Sequence, residues 1–363
     1  MRLTRGSSKA RVSERQIALA DLAGRAPPRG LPVLDTRERG TEFRQLSVRS
    51  ALNSAAATHM GFWSINPYVG CEFGCSYCYA RDTHRYTVER HAASGGLIAE
   101  HDGALLSKRP VDAFERHILV KHNLAAVLTR TLEPARVGDA AIVIGTATDP
   151  YQPAERRFAV TRSVLEALLP FHRLHLGIIT KSPLITRDIS LLREISAKHR
   201  LKVHVSLATC DGTLLRRLEP RTPMPHARLR ALAQLTAAGI DAGVLVAPIV
   251  PLLTDSREGL ARLFTAARDA NARRVNGGVL RLGPTARTKF LSQIAAEFPE
   301  LLSRYERHFA HSSNAEPAYR KALTRRLTRL QLEFGFPTGG MTRDIDAING
   351  ADAEADEQMD LMV

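Results

Sequence analysis

No stretch of this 363-residue sequence stays apolar over the ~18 residues that a membrane helix needs, so a helical span is excluded. The first residues, MRLTRGSSKARVSERQ, are basic, but no apolar core follows them. That excludes a secretory signal and makes the cytoplasm the expected compartment. Aromatic side chains are sparse at 6%, with Trp63 the single tryptophan, and no internal repeat is visible. Cysteine is scarcer still: there are four, and three of them fall within eight residues. A disulfide framework would disperse an even set through a short secreted chain. Clustering in a long chain points instead to a metal or a metal cluster.

What remains is an ordinary globular composition, 44% hydrophobic and 24% charged, with an uneven charge. The net charge is +14, yet residues 344–363 hold seven acidic side chains and no Lys or Arg, so residues 1–343 carry +21. A body that basic suits a polyanionic partner such as a nucleic acid; it equally suits a chain that uses Arg on solvated faces.

Residues 1–50, rich in Arg, Ser, Gly and Pro, read as a basic, flexible lead-in, and the acidic residues 339–363 as a disordered tail. Between them, short β-branched runs alternate with helical spacing. Strands are expected at Ser64–Val69, Ala141–Gly145, Leu174–Thr180, Val203–Leu207, Ala242–Val250 and Gly278–Leu282. Helices are expected over Ala113–Leu132, Thr161–Phe171, Leu184–Lys198, Pro225–Ala238, Ser256–Ala270 and Thr285–Phe298. This gives six β/α units over residues 51–300 and a parallel sheet covered on both faces. Two further helices follow within 301–338, around Glu300–Ala310 and Pro317–Gly335; the second carries Arg320, Lys321, Arg325, Arg326 and Arg329. The alternation alone does not choose between a doubly wound sheet and a barrel.

That choice comes from the motifs and from what they resemble, beginning with the segment INPYVGCEFGCSYCYARDTH. Cys71, Cys75 and Cys78 stand in C-x3-C-x2-C spacing, which can wrap three irons of a [4Fe–4S] cubane and leave the fourth iron without a protein ligand. Gly70 and Gly74 suit a loop that bends tightly around a compact cluster. Tyr77 can wall the cluster off, and a helix is expected to begin at Tyr79–Ala80. The competing reading is a zinc site with Cys210 or His84 as fourth ligand, although no second cysteine pair is present.

This loop resembles the signature of the radical S-adenosylmethionine (SAM) superfamily, and later motifs resemble its spore photoproduct lyase-like branch over roughly residues 60–335. These are GTATDPYQPAE at 145–155, Thr180-Lys181, Val205-Ser206-Leu207, Glu219-Pro220 and Val246-Ala247-Pro248. The resemblance implies a partial (β/α)6 barrel of the radical SAM type with extra C-terminal helices. It implies a [4Fe–4S] cluster and SAM as cofactors, and a reductant such as flavodoxin or ferredoxin. Thr148 and Asp149 match the position that meets the methionyl amino end of SAM. Lys181 matches a lysine on the carboxylate, and Ser206 a serine near the ribose and carboxylate. Tyr77 and Tyr79 match a pair that can relay a radical. Glu219 caps a helix or pairs with Arg221, and Cys210 reads as a buried free thiol outside the cluster.

One departure matters. Where spore photoproduct lyases carry a hydrogen-donating cysteine after the second strand, this sequence has Thr146. A threonine O–H bond is too strong to replace a thiol S–H, which puts that lyase reaction in doubt. Two functional classes follow. One is an enzyme that cleaves SAM reductively to a 5′-deoxyadenosyl radical and acts on a nucleic acid or another substrate. The other is a nucleic-acid-binding protein whose cluster is structural or redox-sensing. Lys181, Ser206 and the TDP motif beside the cysteines favour the first, because a structural cluster needs no cosubstrate pocket.

Overall fold

Runs such as AIVI and VHVS carry β-branched side chains toward both faces, which suits a strand covered on both sides. In the computed structural model, which describes residues 33–37, 40–58, 61–93 and 110–338, they form such strands. The first five strands are β1 (Val33–Thr36), β2 (Glu42–Gln45), β3 (Trp63–Ile65), β4 (Tyr68–Val69) and β5 (His117–Val120). The rest are β6 (Ala141–Ile144), β7 (His175–Thr180), β8 (Arg200–Ser206), β9 (Ala242–Ile249) and β10 (Val275–Val279).

Six of them make one parallel sheet in the order β3-β6-β7-β8-β9-β10. Helices such as Val160–Leu168, Ile189–Lys198, Pro225–Ala237 and Arg257–Asp269 cross between successive strands. This is the expected partial (β/α)6 barrel, open between β3 and β10 among the described residues. Its core joins Ile142, Ile144, Ile178, Val203, Val205, Val244 and Val246 to Val164, Leu165, Leu232 and Phe264, all buried. Each such side chain contributes about 1.5–3 kcal/mol relative to an exposed one. Helix starts are capped in sequence: Ser256 Oγ accepts from the Gly259 amide and the Asp211 carboxylate from the Leu214 amide. The helices expected near the end are present as Leu302–His308 and Pro317–Glu333. No helix among the described residues is long and apolar enough to cross a membrane.

Four expectations need correction, the first a shift: the strand expected at Gly278–Leu282 is β10, which starts three residues earlier and ends at Val279, where its pairing with β9 ends. The helix expected over Ala113–Leu132 is two, Pro110–Arg116 and Leu124–Thr131, with β5 between them. The run HILV fits either periodicity, and pairing with β2 and β4 decides for strand, burying Ile118 and Leu119 completely. The strand expected over Ser64–Val69 breaks at Asn66-Pro67, because proline has no amide to donate to a ladder. Its halves, β3 and β4, join different sheets. Finally, the described part of the expected flexible lead-in, residues 33–37 and 40–50, is ordered. β1 and β2 extend a second sheet of order β1-β2-β5-β4, anchored by the fully buried Phe43. Residues 1–32 and the expected acidic tail at 339–363 lie outside the described residues.

Candidate functional site

The chain crosses from the large sheet to the small one at Asn66 and then bends into the cysteine loop. Gly70 makes that bend at φ +86°, and a Cβ there would lie 2.7 Å from the Phe114 carbonyl oxygen. Only glycine fits. Two side chains that follow β6, Thr148 and Gln152, hold this loop with three hydrogen bonds. The Thr148 hydroxyl donates to the Gly70 carbonyl (2.7 Å), Gln152 Nε2 donates to the same oxygen (3.1 Å), and Gln152 Oε1 accepts from the Glu72 amide (2.8 Å). Asn66 binds back in turn, accepting from the Ala147 amide at 2.8 Å. On the other side, Ser76 meets the end of helix Gly212–Leu218, with both its amide and hydroxyl donating to the Leu218 carbonyl at 3.1 Å.

Cys71 and Cys75 are buried and Cys78 is half-buried; with Phe73, Tyr77, Phe114, Leu218 and Leu282 they form an apolar cluster separate from the barrel core. Burial pushes all three thiols up. Asp149 adds to the effect at Cys71, Glu219 adds and Lys181 opposes at Cys75, and Arg81 opposes at Cys78. Ligation as thiolates therefore requires a cation that takes over the protons' role. Among the described residues no three Cys, His, Asp or Glu side chains converge as a single-ion site. A cubane binds each thiolate through a different iron and so spreads its ligands wider. The two side chains considered as fourth zinc ligands lie in other surroundings. Cys210 packs against the barrel core. His84 is buried edge-on to Phe114 (5.7 Å between centroids), and burial pushes its imidazole down to about 4. The three loop cysteines, sheltered and without a disulfide, fit a [4Fe–4S] cluster.

The barrel brings Lys181 and Ser206 to this loop from the C-terminal ends of β7 and β8. Lys181 Nζ donates to Ser206 Oγ at 3.0 Å and stands 5.9 Å from the centre of the Tyr77 ring. Ser206 Oγ donates onward to the Ala247 carbonyl (3.1 Å). Burial alone would lower the Lys181 ammonium, but Glu219 and Cys75 outweigh it and the net shift is upward. Lys181 is a fixed cation beside the cysteine loop.

The other expected site residues turn inward. Asp149 accepts from Thr180 Oγ1 (2.7 Å) and from the Lys181 (2.7 Å) and Tyr151 (2.9 Å) amides. Its carboxylate thus ties the end of β6 to the end of β7 and sets the backbone from which Lys181 projects. Burial raises its pKa despite those three donors. The Tyr77 hydroxyl donates to Glu219, and the half-exposed Tyr79 donates its hydroxyl to the carbonyl of Thr146. Thr146 Oγ1 in turn accepts from Asn66 Nδ2 at 3.2 Å.

Glu219 pairs with Arg228, not with Arg221; the latter approaches Glu115 at 3.6 Å. Both Glu219 and Arg228 are completely buried. Arg228 also donates to the Ser206 carbonyl (2.9 Å), the Pro223 carbonyl (2.8 Å) and Thr222 Oγ1 (2.6 Å). Burial would raise the Glu219 carboxyl, but Arg228 first and then Lys181 hold it at about 2. Sequence reasoning missed Arg228. Its signal was a single arginine on the apolar stripe of helix Pro225–Ala237, in line with Ala231, Leu232 and Leu235.

Comparison with known proteins agrees with this geometry. Residues 65–264 match the family described as the radical SAM superfamily. The chain belongs to that superfamily. A Mycobacterium tuberculosis protein described as uncharacterised is 36% identical over 297 residues, 81% of this chain and 82% of that protein. An uncharacterised protein of Methanocaldococcus jannaschii is 28% identical over 191 residues, 53% and 61% of the respective chains. Among solved structures, a spore photoproduct lyase mutant with bound AdoMet and dinucleoside spore photoproduct superposes with a TM-score of 0.54. That match has 14% identity over 80% of this chain and 79% of the other, and it establishes a shared radical SAM fold. The superfamily's cofactors are a [4Fe–4S] cluster and SAM.

Proposed function

We propose that this radical SAM protein is an enzyme that binds its cluster through Cys71, Cys75 and Cys78 and cleaves SAM reductively to a 5′-deoxyadenosyl radical. The reading rests on one observation above all: the half-buried Lys181, its Nζ hydrogen-bonded to Ser206 and 5.9 Å from the centre of the Tyr77 ring, holds a positive charge beside the cysteine loop. A structural cluster gives no reason to fix a lysine there. When bound, the cluster supplies an open iron for the methionyl end of SAM and one electron for breaking the carbon–sulfur bond. The protein's own part is positional. Lys181 meets the cosubstrate carboxylate, Ser206 sets the lysine's reach, Asp149 and Glu219 hold both in place, and the apolar walls of Phe73 and Leu282 keep water away.

The test of cosubstrate binding is Lys181→Ala. Losing a charge-assisted bond should cost about 1.5–3 kcal/mol, roughly ten- to a hundred-fold in SAM affinity, with the cluster spectrum unchanged. An unaltered Kd by equilibrium dialysis would place the carboxylate elsewhere. Anaerobic reconstitution with dithionite and SAM should yield 5′-deoxyadenosine, which a structural or redox-sensing cluster would not.

The substrate we assign is a nucleic acid. Residues 1–343 carry +21, and helix Pro317–Glu333 buries Leu323, Leu327 and Leu330 while exposing Lys321, Arg325 and Arg329. Arg326 of the same helix is engaged, donating to the Asp255 carbonyl at 2.5 Å. Phosphate contacts release counterions, so DNA or RNA binding should fall steeply with salt and strengthen on deleting 344–363. Fluorescence anisotropy across a salt series decides this; no binding at low salt by either form would remove the nucleic acid. Repair of spore photoproduct is not expected, because Thr146 stands where a thiol is needed. Efficient conversion of that lesion to thymines by the wild-type chain would refute this, and improvement by Thr146→Cys would support it.

A further inference from the structure

A left-handed backbone conformation is costly for a residue with a Cβ, and among the described residues four non-glycine positions adopt it: Ala159, Arg173, Leu252 and Asn271. Ala159 and Asn271 close the helices Glu155–Phe158 and Arg257–Asp269, where such a residue is the ordinary ending. Leu252 has no helix to close. It follows β9, in a turn where the Leu253 amide donates to the Val250 carbonyl (3.2 Å), with Pro251 second and Leu252 third at φ +68°. A turn with proline second and a positive φ third calls for glycine at that position. The chain places a leucine there and leaves it 43% exposed. The rest of the turn is fixed. Val250 is buried in the apolar cluster of the cysteine loop, and Leu253, like Cys78, packs against that cluster. Thr254 Oγ1 accepts from the Val250 amide (2.8 Å), and the buried Tyr305 donates its hydroxyl to the Pro251 carbonyl. Asp255 is held by helix Pro317–Glu333: Tyr319 donates its hydroxyl to Asp255 Oδ2 (2.8 Å), and Arg326 donates to the Asp255 carbonyl. An apolar side chain is thus held out at the barrel mouth, on a turn tied to the helix that exposes Lys321, Arg325 and Arg329.

We infer that Leu252 is a wedge that enters the base stack of a nucleic acid duplex and frees a base to reach the site under the cysteine loop. The inference rests on the nucleic-acid reading above and deepens it by naming the residue that opens the substrate. A base in a duplex is stacked on both sides, and chemistry in a buried site requires taking it out of the stack. Apolar side chains achieve this by inserting between base steps while neighbouring cations hold the phosphates in register. Lys321, Arg325 and Arg329 supply those cations. The hydrogen bonds from Tyr319 and Arg326 to Asp255 fix where Leu252 stands relative to them. A wedge must also keep its place when pressed against the stack, and the anchors at Val250, Pro251 and Asp255 give it that support.

The probe is a short duplex, made once as DNA and once as RNA, with a single 2-aminopurine opposite cytosine. A mismatched base leaves the stack at least cost, and 2-aminopurine brightens when it does. At low salt the reconstituted full-length protein should raise that fluorescence several-fold on at least one of the two duplexes. Leu252→Gly should bind the same duplex within about twofold of wild type by anisotropy, because its phosphate contacts remain, yet lose most of the rise. Leu252→Met, which keeps an apolar side chain of similar size, should retain it. In urea, Leu252→Gly should unfold at the wild-type concentration or above it, since glycine suits the turn. A merely structural leucine would give the opposite result. A full fluorescence rise with Leu252→Gly overturns the inference, and so does a Leu252→Gly chain that unfolds earlier than wild type. Wild-type protein that binds neither duplex fails the nucleic-acid reading and the wedge together, whereas binding without any rise fails the wedge alone.

Discussion

Replacing any one of Cys71, Cys75 or Cys78 by alanine should strip the cluster, while Cys210→Ala should leave the brown absorbance and close to four irons per chain. The physical ground is the separation between the two sets. The three loop thiols share one apolar cluster under Phe73 and Phe114, whereas Cys210 packs against the barrel core after β8. A cubane on three thiolates has no reserve: losing one exposes a second iron to water in a loop whose thiols burial already biases toward the protonated form. Iron analysis and absorbance after anaerobic reconstitution read the outcome. Equal loss from Cys210→Ala would mean a four-thiolate site, leaving no iron open for SAM.

The largest effect on folding should come from Arg228→Ala. It leaves the Glu219 carboxylate buried with Lys181 as its remaining cation, and breaking a buried pair on one side costs about 3–5 kcal/mol. Changing both partners, Arg228→Met with Glu219→Leu, should recover much of that loss, because the penalty comes from the stranded charge. Urea unfolding of the wild type, Arg228→Met, Glu219→Leu and the double variant tests the coupling; simple additivity of the two substitutions would show that Glu219 and Arg228 act independently. The pH dependence has a definite sign. Glu219 titrates at about 2 in the folded protein and at ~4.3 when unfolded. Its stabilisation is complete above pH ~4.3 and is lost as the pH falls through about 2. The gap between wild type and Arg228→Ala should therefore narrow on acidification over that window. Because Arg228 also holds the Ser206 carbonyl, the alanine variant should lose SAM affinity even where it remains folded.

The three-cysteine loop and the β/α alternation were legible in the sequence because both are local. C-x3-C-x2-C places three thiols on one loop whatever surrounds them, and β-branched runs between helical stretches specify parallel strands segment by segment. The expected Lys181 and Ser206 lie together for a related reason: each follows a barrel strand, and parallel strands deliver their C-terminal ends to one mouth. Tertiary structure decided what those positions do. The matched Thr148 and Asp149 spend their side chains on Gly70 and on the backbone of Tyr151 and Lys181, because a motif specifies where a residue stands and not which way its hydrogen bonds point. The run HILV became β5 only because β2 and β4 were there to pair with it. The partner of Glu219 was unreadable for the same reason. Arg221 is two residues away and Arg228 nine, but a buried carboxylate pairs with the cation that the fold buries beside it, and helix Pro225–Ala237 turns Arg228 inward while Arg221 remains half-exposed over the cysteine loop.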